Sequence, residues 1–489
     1  MRNLQLIMIG ACLISIAIPS LAQSEPELNA LRDELRQLRT DYETRIAELE
    51  RRLEIAEQKT AKQQVATTQD TVQGDTAPQT VQTDQSQVAA ASTQNNRTGS
   101  GLFNPDIGVI FTGRAWSYDN NPDDYEIPGF PLGGETELAP DGLSLGETEI
   151  NISANVDDKF TAWLTVPIHI HDGNTEIDVE EAWIETLKLP AGLSLRMGRF
   201  FSNIGYLNEK HPHAWDFADQ PLPYKAFLGN HYLDDGLQMR WLAPTDFYLE
   251  LGAEVSRGEH YPAGDESHSG HGAYTLRAKT GGDVGSGHSW QAGISYLQAD
   301  AEGRSISHAH GDDDHDEGHG HEDDEHDEEP DHEDGPLMFT GESDILMADF
   351  VWKWAPNGNW KQRNFIFQAE YIWRNEDGVY TLSDGDALPY DNDQQGFYLQ
   401  AVYQPFPMWR FGVRYDQLSS DYPGVEFEDT PLMPAHNDPR RYSIMADFSN
   451  SEFSRFRLQY TLDQAGEEDD NQWGLQYIFS IGAHGAHSF

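Results

Sequence analysis

"QWGLQYIFSIG", residues 472–482, sets Trp473, Leu475, Tyr477, Phe479 and Ile481 on one side of an extended chain. Gly474, Gln476, Ser480 and Gly482 fall on the other side, with Ile478 the exception. Successive side chains of a strand point to opposite faces. A ring-rich apolar face backed by a small, polar one suits a strand with lipid outside and water inside. "SIMADFS", residues 443–449, repeats the alternation.

Working outward from there, the same alternation predicts strands near 105–118, 146–155, 160–171, 178–187, 193–201, 233–242, 247–256 and 273–280. Eight more fall near 288–299, 344–354, 364–374, 395–404, 409–416, 440–449, 454–462 and 472–481. The connections alternate in length. "DDK" (157–159), "KLPAG" (188–192), "APTD" (243–246), "PFPM" (405–408) and "NSEF" (450–453) are tight turns. The connections at 119–145, 202–232, 257–272, 300–343, 375–394 and 417–439 are long, with shorter ones at 171–177 and 463–471. Bacterial outer-membrane barrels have this asymmetry, with tight periplasmic turns and long outer loops. A propeller would show a repeat of fixed period, and none is present. The fold expected is all-β: a transmembrane antiparallel barrel of about 16 strands over residues 101–489, ending on an aromatic residue, Phe489.

The chain has 489 residues and a formal net charge of −51, from 32 basic and 83 acidic residues. That balance excludes a general nucleic-acid binder, which needs a basic face, and favours cations as partners. After the N-terminus no apolar window is long enough for a helical span, which leaves strands as the means of crossing lipid.

Ahead of the barrel, residues 1–22 read as a signal peptide: Arg2, an apolar run from Leu6 to Pro19, and small residues before a cleavage after Ala22. The single cysteine, Cys12, lies in this leader, so thiolate metal sites and thiol catalysis are excluded from the mature chain. Residues 23–58 read as a periplasmic coiled coil, with Leu28, Leu31, Leu35, Leu38, Tyr42, Ile46, Leu49, Leu53 and Ala56 in heptad-like steps. Residues 59–100, rich in Gln, Thr, Ala and Ser, read as a flexible linker.

The outer connection 300–343 holds "HAHGDDDHDEGHGHEDDEHDEEPDHEDG", with seven histidines, fifteen acidic residues and no Lys or Arg. It has almost nothing apolar to bury. Imidazoles and carboxylates are the nitrogen and oxygen ligands that zinc, nickel and copper accept. His308, His310, His315, His319, His321, His326 and His332 are the candidate metal ligands, with Asp312, Asp314, Asp316, Glu322 and Asp324. Many ligand sets of similar energy compete there, so exchangeable sites of modest affinity are expected. His260, His268 and His271 of the fourth outer connection offer further ligands. The third, "FFSNIGYLNEKHPHAWDFADQPLPYKAFLG" (200–229), is aromatic and Pro-rich and would not sit in bulk water. It is expected to fold into the lumen, where His211, His213, Asp216, Asp219 and Lys225 would line a constriction.

"FNPDIGVIFTGR" (103–114), "LSLGETEINISANVDDKFTAWLTV" (143–166) and "VEEAWIETLKLPAGLSLRMGRFFSNIGYLNEKHPHAWDF" (179–217) resemble a family of bacterial outer-membrane proteins known as zinc-regulated outer-membrane receptors and sometimes called TonB-dependent. "LPYKAFLG", "DDGLQMRWLAPTDFYLELGAEV" and the ending "IGAHGAHSF" fit the same family, and the resemblance covers most of 101–489. Leader, coiled coil and sixteen-strand barrel together also resemble phosphate-selective porins, which are trimeric. These resemblances imply zinc-linked uptake and a homotrimer in outer-membrane lipid. A TonB-dependent receptor carries a plug inside a larger barrel. Residues 23–100 have no core from which to build one, and sixteen strands leave room for an aqueous channel.

The sequence therefore reads as a porin-like channel taking part in divalent metal uptake, with Zn2+ ahead of nickel and copper. The alternatives are an energised receptor for zinc or a zinc chelate, and a structural or adhesive surface protein. No nucleophile motif such as G-x-S-x-G stands out, and no enzyme is expected.

Overall fold

A computed structural model of the chain describes residues 105–133, 136–171, 174–264, 271–306, 337–381, 385–428 and 430–482. The leader, coiled coil, linker, His/Asp-rich segment, His268 and Phe489 lie outside the described residues.

The strand segments are β1 (Asp106–Ser117), β2 (Gly142–Leu145), β3 (Thr148–Asn155), β4 (Phe160–His171), β5 (Asn174–Ile177), β6 (Glu181–Thr186), β7 (Leu193–Phe201), β8 (Leu233–Leu242) and β9 (Tyr248–Ser256). They continue with β10 (Ala273–Val284), β11 (His288–Ile306), β12 (Leu337–Trp354), β13 (Asn364–Thr381), β14 (Ala387–Phe406), β15 (Trp409–Ser420), β16 (Arg440–Ser451), β17 (Ser454–Gln464) and β18 (Asp470–Gly482). Neighbours pair antiparallel, and β1 closes the ring by pairing β18 from Gly108↔Gly482 to Ser117↔Trp473. β2 and β3 both pair with β1 and form one crossing, and β5 and β6 both pair with β4 and form another. The wall is thus crossed sixteen times, as the alternation predicted.

The outward face carries the apolar set. Trp473, Leu475, Phe479 and Ile481 are exposed on β18, as are Phe456 and Leu458 on β17 and Phe411 and Val413 on β15. The inward positions of the same strands carry Gln472, Gln476, Arg457, Gln459 and Arg414, all buried. A closed antiparallel sheet leaves no unpaired edge, and an apolar exterior over a polar interior is the arrangement for a wall set in lipid.

Two long connections are shorter than the alternation implied. β11 and β12 extend to Ile306 and from Leu337, so the connection expected at 300–343 contracts to 307–336. β13 and β14 run to Thr381 and from Ala387, which reduces 375–394 to five residues, 382–386. An apolar outward face marks only the part of a strand that touches lipid. Beyond it, these strands continue with Glu342, Asp377 and Asp391 outward, registered side by side. Inward, Phe339, Tyr380, Tyr390, Phe427 and Leu432 form a buried cluster that holds the extension together.

Candidate functional site

The connection between β7 and β8, residues 202–232, lies inside the barrel. Near its start Glu254 of β9 accepts from Ser202 Oγ at 2.5 Å and from the Asn203 amide at 2.8 Å. Gly205 has φ 64°, and a Cβ there would fall 2.5 Å from Glu370 Oε2. Only glycine allows the chain this close to the wall. Glu370 of β13 then accepts from the Tyr206 and Leu207 amides at 2.8 and 3.2 Å. It also accepts from the Tyr224 and Tyr398 hydroxyls at 3.0 and 2.6 Å.

The loop closes with a short helix, α1 (Leu222–Leu228). Pro221 caps it and Pro223 sits in its first turn, where a missing N–H costs nothing. Gly229, at φ 59°, ends it in the left-handed conformation. Every residue of α1 is buried. Phe227, Leu228 and Tyr224 pack with Ile345, Met347, Ile372, Tyr398 and Leu418 of the wall in one apolar cluster.

The structure distributes the expected constriction residues over three environments. Asp216 and Asp219 meet arginines of the wall. Asp216 pairs with Arg410 at 2.7 Å; Asp219 pairs with Arg414 at 3.0 Å and Arg441 at 2.8 Å. Burial alone would raise the Asp219 carboxyl, but Arg414 and Arg441 outweigh it and hold it below the usual range. Lys225 is buried beneath the first connection, its ammonium donating to the Thr136 carbonyl at 3.0 Å. Burial first, and then the neighbouring Arg441, lower it to about 8.

His211 and His213 turn to a different wall, with their rings stacked 5.7 Å apart. His211 Nε2 lies 3.0 Å from Glu181 Oε2, and its Nδ1 lies 3.1 Å from Glu180 Oε2 and 3.6 Å from Glu149 Oε2. His213 Nδ1 lies 2.6 Å from Glu149 Oε1. Glu180 and Glu181 are consecutive, and in a regular strand they would point to opposite faces. The break between β5 and β6 turns both toward His211, since the Glu180 amide and Glu181 both register on Thr165. Burial opposes charge on His211, but Glu180 and Glu149, with hydrogen bonds to Glu180 and Glu181, outweigh it and hold the imidazole well above its ordinary value.

Nearer the end that carries the long connections, His169, Glu176 and Asp178 bring three possible ligand atoms within 4.8 Å of one another. His169 Nε2 is 3.0 Å from Asp178 Oδ2. The hairpin register of β4 and β5 sets His169 opposite Glu176. Among the described residues His260 and His271 share no such set: His260 lies 3.7 Å from Asp234, and His271 contacts the Tyr274 ring.

The sequence reading missed Glu149, Glu180, Glu181, Glu370 and the His169 group. For Glu149, Glu181 and Glu370 the signal was a carboxylate at an inward position of a strand, and for His169 a hairpin tight enough to fix its opposite residue; Glu180, in the break between β5 and β6, carried none.

No protein-family model matches the chain. An uncharacterized protein of Aquifex aeolicus (strain VF5) is 33% identical over 418 residues, covering 79% of this chain and 80% of that one. The chain belongs to the family of this Aquifex protein. Similar solved structures include the trimer form of OmpT, an outer membrane protein of Vibrio cholerae, at TM-score 0.45 and 9% identity, covering 77% of this chain and 99% of that one. The outer membrane channel DcaP of Acinetobacter baumannii is similar at TM-score 0.45 and 12% identity, covering 77% and 97%. An anion-selective porin from Comamonas acidovorans is similar at TM-score 0.44 and 9% identity, covering 77% and 98%. In this family member, the closed ladder itself defines the barrel.

Proposed function

We propose that the chain is a porin-like channel of the bacterial outer membrane that takes part in divalent metal uptake, with zinc ahead of nickel and copper. The observation that carries this reading is the third loop, drawn across a polar lumen inside a wall whose outer face is apolar. A loop so placed narrows the path and sets chosen side chains along it. The His/Asp-rich segment between β11 and β12 captures the ion weakly at the mouth, since a tight site would hold the ion rather than pass it on. The heptad pattern of residues 23–58 suits a homotrimer with its coiled coil in the periplasm.

The complete burial of α1 favours a second reading, in which the lumen opens only on demand. That is an energised receptor for zinc or a zinc chelate, as the resemblance to zinc-regulated receptors implies.

Conductance of the purified protein in a planar bilayer, with and without micromolar zinc, tests both. Steady cation-selective channels that zinc blocks only when the loop histidines are present support the channel. A silent bilayer from folded protein overturns it in favour of the receptor or of a structural surface protein. Replacing the seven loop histidines by Asn is expected to weaken zinc binding by tens of fold and leave the barrel folded.

A further inference from the structure

We infer that His169 Nε2, Glu176 Oε2 and Asp178 Oδ2 form an exchangeable binding site for one divalent transition cation of the zinc class, on the inner wall of the barrel near the end that carries the long connections. The inference rests on the metal-uptake reading for its biological sense, but its site is separate from the His/Asp-rich loop.

Three observations carry it. The first is placement. Ile168 pairs with Ile177, and Ile177 stands exposed on the apolar outer face. Neighbouring residues of a strand point to opposite faces, so His169 and Glu176, the next registered pair, face the lumen. The Asp178 amide donates to the Pro167 carbonyl at 3.4 Å. That bond carries the ladder one step further and sets Asp178 on the lumen side, diagonal to His169.

The second is access. Thr165 and Pro167, the inward residues of β4 that precede His169, are buried. Thr165 lies against Glu181, which meets His211 of the third loop. His169 stands four residues beyond Thr165, about 13 Å along the strand. There the side chains of His169, Glu176 and Asp178 keep 27, 53 and 66% of their surface open. An ion in the lumen meets all three ahead of the third loop.

The third is the donor set. His169 Nε2 is 3.0 Å from Asp178 Oδ2 and 3.9 Å from Glu176 Oε2, and the three ligand atoms lie within 4.8 Å of one another. Tetrahedral zinc with bonds of about 2.0–2.1 Å sets its ligands roughly 3.3 Å apart. Among the described residues no other three such groups come so close. One imidazole and two carboxylates suit zinc and its neighbours, and they leave the remaining positions to water. Among the described residues neither carboxylate meets a Lys or Arg, and their shared ion-pair partner is His169. An exposed pair of this kind contributes little stability. The ion therefore displaces it easily, taking the place of any proton held between the ligands. A site so open also releases its ion, as a station on a conduction path must.

The test is Cu2+ binding, followed by pulsed electron paramagnetic resonance, to the full-length protein in detergent with its seven loop histidines replaced by Asn. The remote nitrogen of a coordinated imidazole modulates the Cu2+ echo, so ligation by histidine is read directly. One Cu2+ per chain coupled to a single imidazole, and displaced by Zn2+, is expected. His169→Asn should abolish the coupling. Glu176→Gln and Asp178→Asn should each weaken binding by roughly 10–100-fold, no less than the loss of an outer-shell partner causes. The proposal is overturned by absence of the coupling in the parent protein, by its persistence in His169→Asn, or by unchanged affinity when Glu176→Gln and Asp178→Asn are combined. Circular dichroism confirms the barrel in each variant, and the combined carboxylate variant decides the matter if His169→Asn does not fold. A silent bilayer with the coupling intact removes the channel reading and leaves the site. A conducting channel without the coupling removes the site alone.

Discussion

The Tyr224 hydroxyl donates to Glu370 Oε2 at 3.0 Å, joining the buried helix of the third loop to the barrel wall. The same carboxylate takes two loop amides and a wall tyrosine, so one side chain holds the loop by three donors and the neighbouring strand by a fourth. Glu370→Ala leaves the Tyr206 amide and the Tyr224 and Tyr398 hydroxyls without that acceptor, at about 1–3 kcal/mol each, while the Leu207 amide keeps Tyr224. The expected outcome is a loosened loop, read as larger and noisier single-channel currents and as new protease cleavage within 202–232. Tyr224→Phe removes two bonds, to Glu370 and from the Leu207 amide, and should cost about 1–2 kcal/mol, measured by urea unfolding.

Asp219 anchors the other side of the loop through Arg414 and Arg441. Asp219→Asn removes one of the two carboxylates that each of Arg414 and Arg441 meets, Asp416 and Asp463 remaining, and should destabilise by about 1–3 kcal/mol. The pH dependence follows from its lowered carboxyl. A depressed folded-state value gives stability that is full above the ordinary value of 3.8 and drains away as the pH falls toward the folded one. Acid unfolding of the parent should therefore steepen below about pH 4, and the Asn variant should lack that component.

Lys225 is also lowered, but there burial disfavours the charged form. Folded it loses its proton near 8, and unfolded near 10.5. Between those values the unfolded chain binds more protons, so stability rises with pH. Lys225→Met should abolish the rise and stabilise the protein at neutral pH, by an amount on the order of a few kcal/mol. Unfolding midpoints across that range are the measurement.

Glu342, Asp377 and Asp391 stand in one row across β12, β13 and β14. Like charges directly opposite one another oppose pairing. Asp377→Asn should raise the melting temperature by about one degree at low salt, and added salt should erase the difference.

The barrel was legible because its outer face has to be apolar wherever it meets lipid, and that demand writes period two into stretches such as Gln472–Gly482. Where the demand stops, so did the reading. Asp377 and Asp391 carry their strands onward in water without an apolar face, and the four-residue β5 is too short and polar to announce itself. The composition of the third loop marked it for the interior, since Phe200, Phe201, Trp215, Phe217 and Phe227 could not stand in solvent. Which wall each loop residue would meet was not legible. The partners Glu149, Glu370, Arg414 and Arg441 are fixed by ring closure, and Glu180 faces inward beside Glu181 only because the strand breaks before it.

The third loop is made early in the chain, between β7 and β8, yet many of its anchors lie on strands made late. Gln459 takes the Ala218 amide, Arg457 the Trp215 carbonyl and Arg441 the Asp219 carboxylate. Contacts so distant in sequence form slowly. Until β15, β16 and β17 are in place, Asp216 and Asp219 are charges without partners inside a forming barrel. The loop settles only when the last strands have zipped to the first. A correctly seated constriction is therefore a record that assembly has finished, and a misregistered barrel would betray itself by a loop that never docks.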